Sequence, residues 1–217
     1  FNDQSDRKEK RYMTVKNHEG RIDMEIQNGL VIIFSDAHYF PGLVSTAHKG
    51  LLWAIKNLQP TAIVCNGDAF DGSTISRHPR IGWDSKPTVL DELKAVTERL
   101  AEIKEVSKTS HLIWPLGNHD ARFETYLAAS VPQFEGVKGF ALKDHFPEWR
   151  PCWTFWINDH LVVKHRWKGG IHATHNNTVG AGVSIVTGHL HQLKVTPYSD
   201  YRGRRYGVDT GTLADLY

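Results

Sequence analysis

Disulfide bonds do not organise this chain. Its two cysteines, Cys65 and Cys152, are too few for a disulfide framework. Cys65 lies in an apolar run, where a reduced, buried thiol is the expected state. Long hydrophobic runs are missing as well. None approaches the ~20 residues that a membrane helix requires, so no membrane attachment is expected. An excess of one charge is also lacking: 26 basic against 24 acidic residues leave a net charge of +2, too little to predict a nucleic-acid or membrane partner. There is no internal repeat, no low-complexity tract, and no composition break that would mark a second domain. No secretory signal is visible, and the expected setting is the cytoplasm. The chain starts at Phe1 rather than Met, which leaves a cleaved upstream segment open.

What is present is ordinary in bulk. Hydrophobic content of 40% and charged content of 23% suit a globular protein. A chain of 217 residues is long enough for one compact domain that buries roughly 70% of its surface. Residues 1–11 are polar and mixed in charge and read as a tail, leaving residues 12–217 as a single domain. Histidine stands out, with 13 copies, five of them placed at the ends of apolar runs.

The run Leu30 to Phe34 stops at Ser35 and delivers Asp36 and His38. It reads as a strand buried on both faces, in the middle of an α/β sheet. Before it, residues 12–28 pattern as a hairpin turning at Glu19-Gly20. Residues 44–58 form a helix ended by Pro60, and residues 62–65 a second buried strand that runs into Asn66-Gly67-Asp68. A surface loop over 72–86 follows. Residues 87–107 give the clearest helix, with Leu90, Leu93, Val96, Leu100, Ile103 and Val106 at three- and four-residue steps and Pro87 in the first turn. Residues 111–116 are a third strand, 121–130 a helix, and the segment around Pro132, Pro147 and Pro151 is irregular. From Trp153 the pattern becomes successive strands, 153–157, 161–165, 183–187, 193–198 and 205–209, the first two and the last two paired as hairpins.

Five segments repeat one grammar, an apolar strand ending in groups that bind metals. In order they are Asp36-x-His38, Gly67-Asp68-x-x-Asp71, Gly117-Asn118-His119-Asp120, His165, and Gly188-His189-x-His191. The glycines let the chain turn sharply and pass close to the site. Oxygen and imidazole donors without a thiolate suit Mn²⁺, Fe or Zn²⁺ better than a soft metal. Seven such ligands exceed what one ion takes but suit two ions sharing a carboxylate, the arrangement that serves phosphoryl hydrolysis.

In this order the five segments resemble the calcineurin-like metallophosphoesterase superfamily, and the resemblance covers residues 31–212. It implies a four-layer α/β fold, a double β-sheet sandwich flanked by helices. It implies two divalent ions, Mn²⁺ first and Fe, Zn²⁺ or Mg²⁺ after it. One would be held by Asp36, His38, Asp68 and His191, the other by Asp68, Asn118, His165 and His189. His119 matches the histidine that faces substrate and protonates the leaving oxygen, and Asp71 the carboxylate that orients it. A metal-bridging hydroxide is the implied nucleophile. Asp120 either supports the site from behind or caps the following helix. Arg122, Arg166 and Arg77 are candidate contacts to a substrate phosphate, with Asn118 beside them. His78 and Arg80 share the loop of Arg77, Trp167 and Lys168 follow Arg166, and His172 and His175 read as non-ligands.

The substrate class follows less directly. The protein-phosphatase branch usually carries Arg after the second aspartate of the second motif, where this chain has Gly72. The exonuclease branch carries a further region after its core, and none is expected in the residues after the last strand. A compact bacterial or phage-type phosphodiesterase acting on a nucleotide or DNA is therefore the leading expectation. A phosphomonoesterase and a non-catalytic docking module on the same fold are the alternatives, with oligomeric state left open.

Overall fold

Apolar runs of three or four residues cannot bury themselves, so each becomes one strand of a layer that helices and a second sheet must cover. The computed structural model describes residues 18–79, 82–83, 85–109 and 111–215. The polar tail, the first part of the expected hairpin and Arg80 lie outside them. In chain order the elements are β1 (Ile22–Met24), β2 (Val31–Phe34), α1 (Thr46–Leu58), β3 (Ala62–Cys65), α2 (Val89–Val106), β4 (Leu112–Pro115), α3 (Asp120–Ser130), β5 (Arg150–Cys152), β6 (Phe155–Ile157), β7 (Leu161–Val163), α4 (Ala173–Ala181), β8 (Ser184–Thr187), β9 (Leu193–Asp200) and β10 (Gly203–Thr210).

The strands form two sheets, ordered β2-β3-β4-β5 and β1-β6-β7-β8-β10-β9. The first is parallel throughout; helices α1 and α2 supply crossovers of the length that parallel pairing needs. Their apolar faces (Leu51, Ile55, Leu93, Val96, Leu100, Ile103) belong to one core with Phe34, Ile63, Cys65 and Leu112. A second core lies between the sheets, where Val64 and Ile113 meet Ile22, Phe155, Val163 and Val186. Helix α4 packs on the far side of the second sheet. There Gly207 lets the Thr174 carbonyl approach so closely that a side chain would collide with it. The result is the expected mixed α/β sandwich of two sheets flanked by helices.

Several expectations need correction. Strand β2 is the edge of its sheet, with Val31, Ile32 and Ile33 only half-buried, because β3 pairs with one side of it alone. The segment around Glu19-Gly20 is no hairpin turn: Glu19 bridges to Cys152, and β1 pairs in parallel with β6. Pro87 lies outside α2, which starts after the N-cap Thr88 and its reciprocal bond with Asp91. Leu90 is exposed, off the buried stripe. Arg150–Cys152 is a strand despite Pro151, which an edge position tolerates. Helix α4 interrupts the run of strands. Its stretch Ala-Thr-His-Asn-Asn-Thr-Val-Gly-Ala has almost no amphipathic signal, and Gly182 ends it in the left-handed region at φ 70°. Cys65 and Cys152 are buried and free. No helix among the described residues is long and apolar enough to cross a membrane.

Candidate metal centre

Both sheets aim the carboxyl ends of β2, β3, β4, β7 and β8 at one place, and each strand is followed there by a tight turn. Five residues of these turns have left-handed backbone: Asp36 (φ 53°), His38 (φ 41°), Asp68 (φ 54°), His189 (φ 73°) and His191 (φ 55°). Such conformations cost non-glycine residues on the order of 1–3 kcal/mol each and persist where the surroundings hold them. Here the turns hold one another: Asp36 N–H donates to the Gly67 carbonyl at 2.9 Å, His38 N–H to the Asp68 carbonyl at 2.9 Å, and Gly188 N–H to the His165 carbonyl at 2.9 Å. The glycines allow this approach. A Cβ on Gly117 would overlap the Asp68 carboxylate, one on Gly188 the Asp36 carboxylate, and one on Gly67 the His165 ring.

The side chains converge in two groups, Asp36 with His38 and His191, and Asp68 with His165 and His189; within each, ligand atoms lie within 4.8 Å of one another. In both aspartates one oxygen is held by backbone N–H groups; the second oxygen of Asp36 is left without a hydrogen bond, and that of Asp68 faces His165. Asp36 Oδ2 accepts from His189 N–H at 2.8 Å and from the Ser35 hydroxyl. Asp68 Oδ1 accepts from His119 N–H at 2.8 Å. The imidazoles are prepared in the same way. His165 Nδ1 donates to the Asn66 carbonyl at 2.7 Å and His38 Nδ1 meets Asp71 Oδ1 at 3.1 Å, so each ring turns its Nε2 inward.

The inward atoms are the informative ones. Asp36 Oδ1, His38 Nε2, Asn118 Oδ1 and His165 Nε2 are all buried, and none makes a hydrogen bond. Buried polar atoms are normally paired, and an orphaned one calls for an explanation. Two close pairs, His165 Nε2 with Asp68 Oδ2 and His191 Nε2 with Asp36 Oδ1, each 3.1 Å apart, bring Asp68, His165 and the bare atoms of Asp36 together without aligned hydrogen bonds. Donor atoms that face one another in this way fit cations between them, and the oxygen and imidazole set fits two hard or borderline divalent ions.

The facing carboxylates and imidazoles are strongly coupled. Burial alone would lift the Asp68 carboxyl, but His165 and His119 outweigh it and hold the pKa at about 2. Burial would lower that of His165, yet Asp68 and Asp36 raise it to about 9. His189 is pushed down by burial and by the neighbouring His165 charge.

Beside these groups His38, Asp71 and His119 form a third set, with atoms that could bind an ion likewise within 4.8 Å of one another. Asp71 Oδ1 also accepts from His119 Nδ1, at 2.6 Å. Burial would raise the Asp71 pKa, but hydrogen bonds from His119 and His38 keep it well below the usual carboxylate range. Arg122, on the first turn of α3, donates to the Asp71 carbonyl at 2.8 Å and lies 3.1 Å from His119 Nε2. Asp120 faces away from its own helix, toward the Asp68 loop and the Trp114 indole. Arg166 is exposed directly after His165. Arg77 is exposed, and no contact among the described residues joins it to the site. His78 donates its backbone N–H to Ser76 nearby. His172 and His175 lie at α4, outside both groups. Sequence reasoning missed Asn66, whose carbonyl sets the His165 tautomer and which sits where β3 turns at Gly67. It also missed Glu92, an acid on the apolar stripe of its helix, four residues before Val96; a charge at an inward position was the signal that could have found it.

A family model, calcineurin-like phosphoesterase, matches residues 29–202. No curated protein matches the chain. Among solved structures, a single-mutant Vps29 from Entamoeba histolytica aligns at 13% identity with a TM-score of 0.45, covering 86% of this chain and 76% of that one.

Proposed function

The chain belongs to the calcineurin-like phosphoesterase family, and on that premise we propose that it is a dinuclear metal-dependent phosphodiesterase acting on a nucleotide or nucleic-acid substrate. The observation that carries this reading is the set of four buried, unpartnered atoms on Asp36, His38, Asn118 and His165. Asp36, His38, Asp68 and His191 would hold one ion, and Asp68, Asn118, His165 and His189 the other, with Mn²⁺ the favoured metal. When bound, the ions supply Lewis-acid stabilisation of the phosphoryl oxygens and lower the pKa of a coordinated water.

The chain's own groups do the rest. Asp71 accepts the Nδ1 proton of His119 and so orients the ring, leaving Nε2 as the atom that delivers a proton to the leaving oxygen. Arg122 reaches the same atom. A substrate oxygen entering between them accepts from both, and the guanidinium's fork matches a phosphate. The diester reading is supported by Trp167, 41% exposed two residues after His165, with Lys164 and Lys168 at 5.8 and 5.4 Å from its ring centre. An aromatic face edged by cations stacks bases and attracts the flanking phosphates. Two buried, unbridged thiols suit a reducing cytoplasm. The whole of residues 12–217 is read as one domain.

The test compares bis-p-nitrophenyl phosphate with p-nitrophenyl phosphate, with added Mn²⁺ and with chelator. Faster, chelator-sensitive cleavage of the diester is expected. Preference for the monoester would move the reading to a phosphatase. No turnover of either substrate with two ions bound would favour a docking role, and a protein that binds no ion would overturn the mechanism.

A further inference from the structure

The loop from Asp68 to Ser73 carries both a proposed bridging ligand and the partner of the proton donor, yet it has no secondary structure to hold its first half. Its N–H groups do not go to water. Asp120 accepts from Asp68 N–H at 2.8 Å through Oδ2, and from Ala69 and Phe70 N–H at 3.1 Å each through Oδ1. Glu92, from the middle of α2, accepts from Gly72 N–H at 2.9 Å and from Ser73 N–H at 3.1 Å, with the Ser73 hydroxyl at 2.6 Å. Five of the six backbone donors from residue 68 to residue 73 therefore end on two carboxylates, leaving only that of Asp71. Both carboxylates are buried, Asp120 at 0% and Glu92 at 1% exposure. Asp120 Oδ2 also takes Gly117 N–H at 2.8 Å and Trp114 Nε1–H at 3.0 Å, tying in the turn that bears Asn118 and His119.

We propose that Asp120 and Glu92 are positioning residues that clamp this loop from its two ends, Asp120 setting the Asp68 end and Glu92 the Asp71 end. The inference rests on the metal-centre reading above. Neither residue belongs to a ligand group. Asp120 is the first residue of α3, but its oxygens are spent on the loop and on β4, so capping its own helix is not its role. The clamp accounts for the backbone of Asp68, held at φ 54° where few non-glycine residues sit, with Gly72 at φ 62° closing the other end. Only a carboxylate can do this. An amide of the same shape turns an NH₂ group toward either two or three N–H donors at Asp120 and toward one at Glu92, where the Ser73 hydroxyl can rotate to accept. Buried donors that face a donor lose their bonds outright. Burial raises the pKa of both acids, with the Asp68 charge adding at Asp120.

The two ends make different predictions, which separates positioning from mere stability. Asp120→Asn should weaken Mn²⁺ binding about 10–100-fold, the usual effect of losing a group that orients a ligand, with kcat falling in parallel. Glu92→Gln should leave Mn²⁺ affinity near native, lower kcat, and displace the pH profile of kcat, because it moves Asp71 and through it His119. Titration calorimetry with Mn²⁺ and pH-dependent kinetics on bis-p-nitrophenyl phosphate read both, with folding checked by circular dichroism. If both variants fold, bind Mn²⁺ with native affinity and keep the native pH profile, the clamp is overturned, whatever their melting temperatures. If Asp120→Asn fails to fold, Glu92→Gln decides alone. If the wild-type protein binds no Mn²⁺, the metal-centre reading fails, and the clamp with it.

Discussion

Asp71 serves two histidines with one oxygen. Its Oδ1 accepts from His38 Nδ1 and from His119 Nδ1, so one oxygen sets the tautomer of a proposed ligand and of the proposed proton donor. Asp71→Asn should therefore lower kcat by about 10²–10⁴, the scale of a lost acid–base contribution, and weaken Mn²⁺ binding by about 10–100-fold through His38. Native Mn²⁺ affinity by calorimetry would show that the His38 contact is incidental. A second expectation concerns pH. His165 titrates near 9 in the ion-free fold against 6.5 unperturbed, so its ion pair with Asp68 stabilises the protein fully below pH 6.5 and is lost as pH rises through 9. Asp68, near 2 against 3.8, contributes stability above 3.8 that is lost as pH falls through 2. Ion binding requires neutral His165, so affinity rises with pH over the first window. Melting temperature in EDTA should fall from pH 6.5 to 9, whereas melting temperature in limiting Mn²⁺ should not follow it down; parallel slopes would contradict the assignment.

Among the elements, α2 shows how far local pattern reaches. Leu93, Val96, Leu100 and Ile103 face the core as their spacing requires, and the capping box at Thr88 and Asp91 starts the helix. The same helix buries Glu92: its spacing from Val96, Leu100 and Ile103 puts it on the apolar stripe, where a charge is not expected. Thr88→Ala should cost about 0.5–2 kcal/mol, lowering the melting temperature by about 2–4 °C per kcal/mol in a protein of this size. The pH profile of kcat should be unchanged, since the box lies outside the site; calorimetry and steady-state kinetics check the two halves. The strand-end turns were legible for a different reason. A glycine followed by Asp, Asn or His after an apolar run marks a tight turn that points a ligand out of the sheet, and Gly67, Gly117 and Gly188 all do so. Helix α4 was not legible, because its mixture of Thr, Asn and His carries no apolar stripe. It is fixed instead by packing against β8, β9 and β10.

For the molecule as a whole, the important fact is that the two sheets share the site. Asp36, Asp68 and Asn118 come from the turns of one sheet, His165, His189 and His191 from those of the other. Ions bound there would tie the sheets together. Free Mn²⁺ at 100 times its Kd should stabilise the fold by about 2.7 kcal/mol, raising the melting temperature by about 5–10 °C. Chelator should reverse this, and Asp68→Asn should abolish the response; a wild-type melting temperature indifferent to Mn²⁺ would count against two ions between the sheets.

Strands β2 to β4 and β6 to β10, the ligand residues at their ends and the mixed α/β class are written locally, in apolar runs, glycine turns and helix periods, and so they could be read from the sequence; β5 and α4 could not. Adjacency is not local. Neither the edge position of β2, nor the pairing of β1 with β6 across more than a hundred residues, nor the meeting of Asp71 with His38, nor the docking of Glu92 on the N–H groups of Gly72 and Ser73 has a signature within its own segment. Each depends on which strands end up side by side and on how two cores close over them, and that is set by the packing of the folded chain.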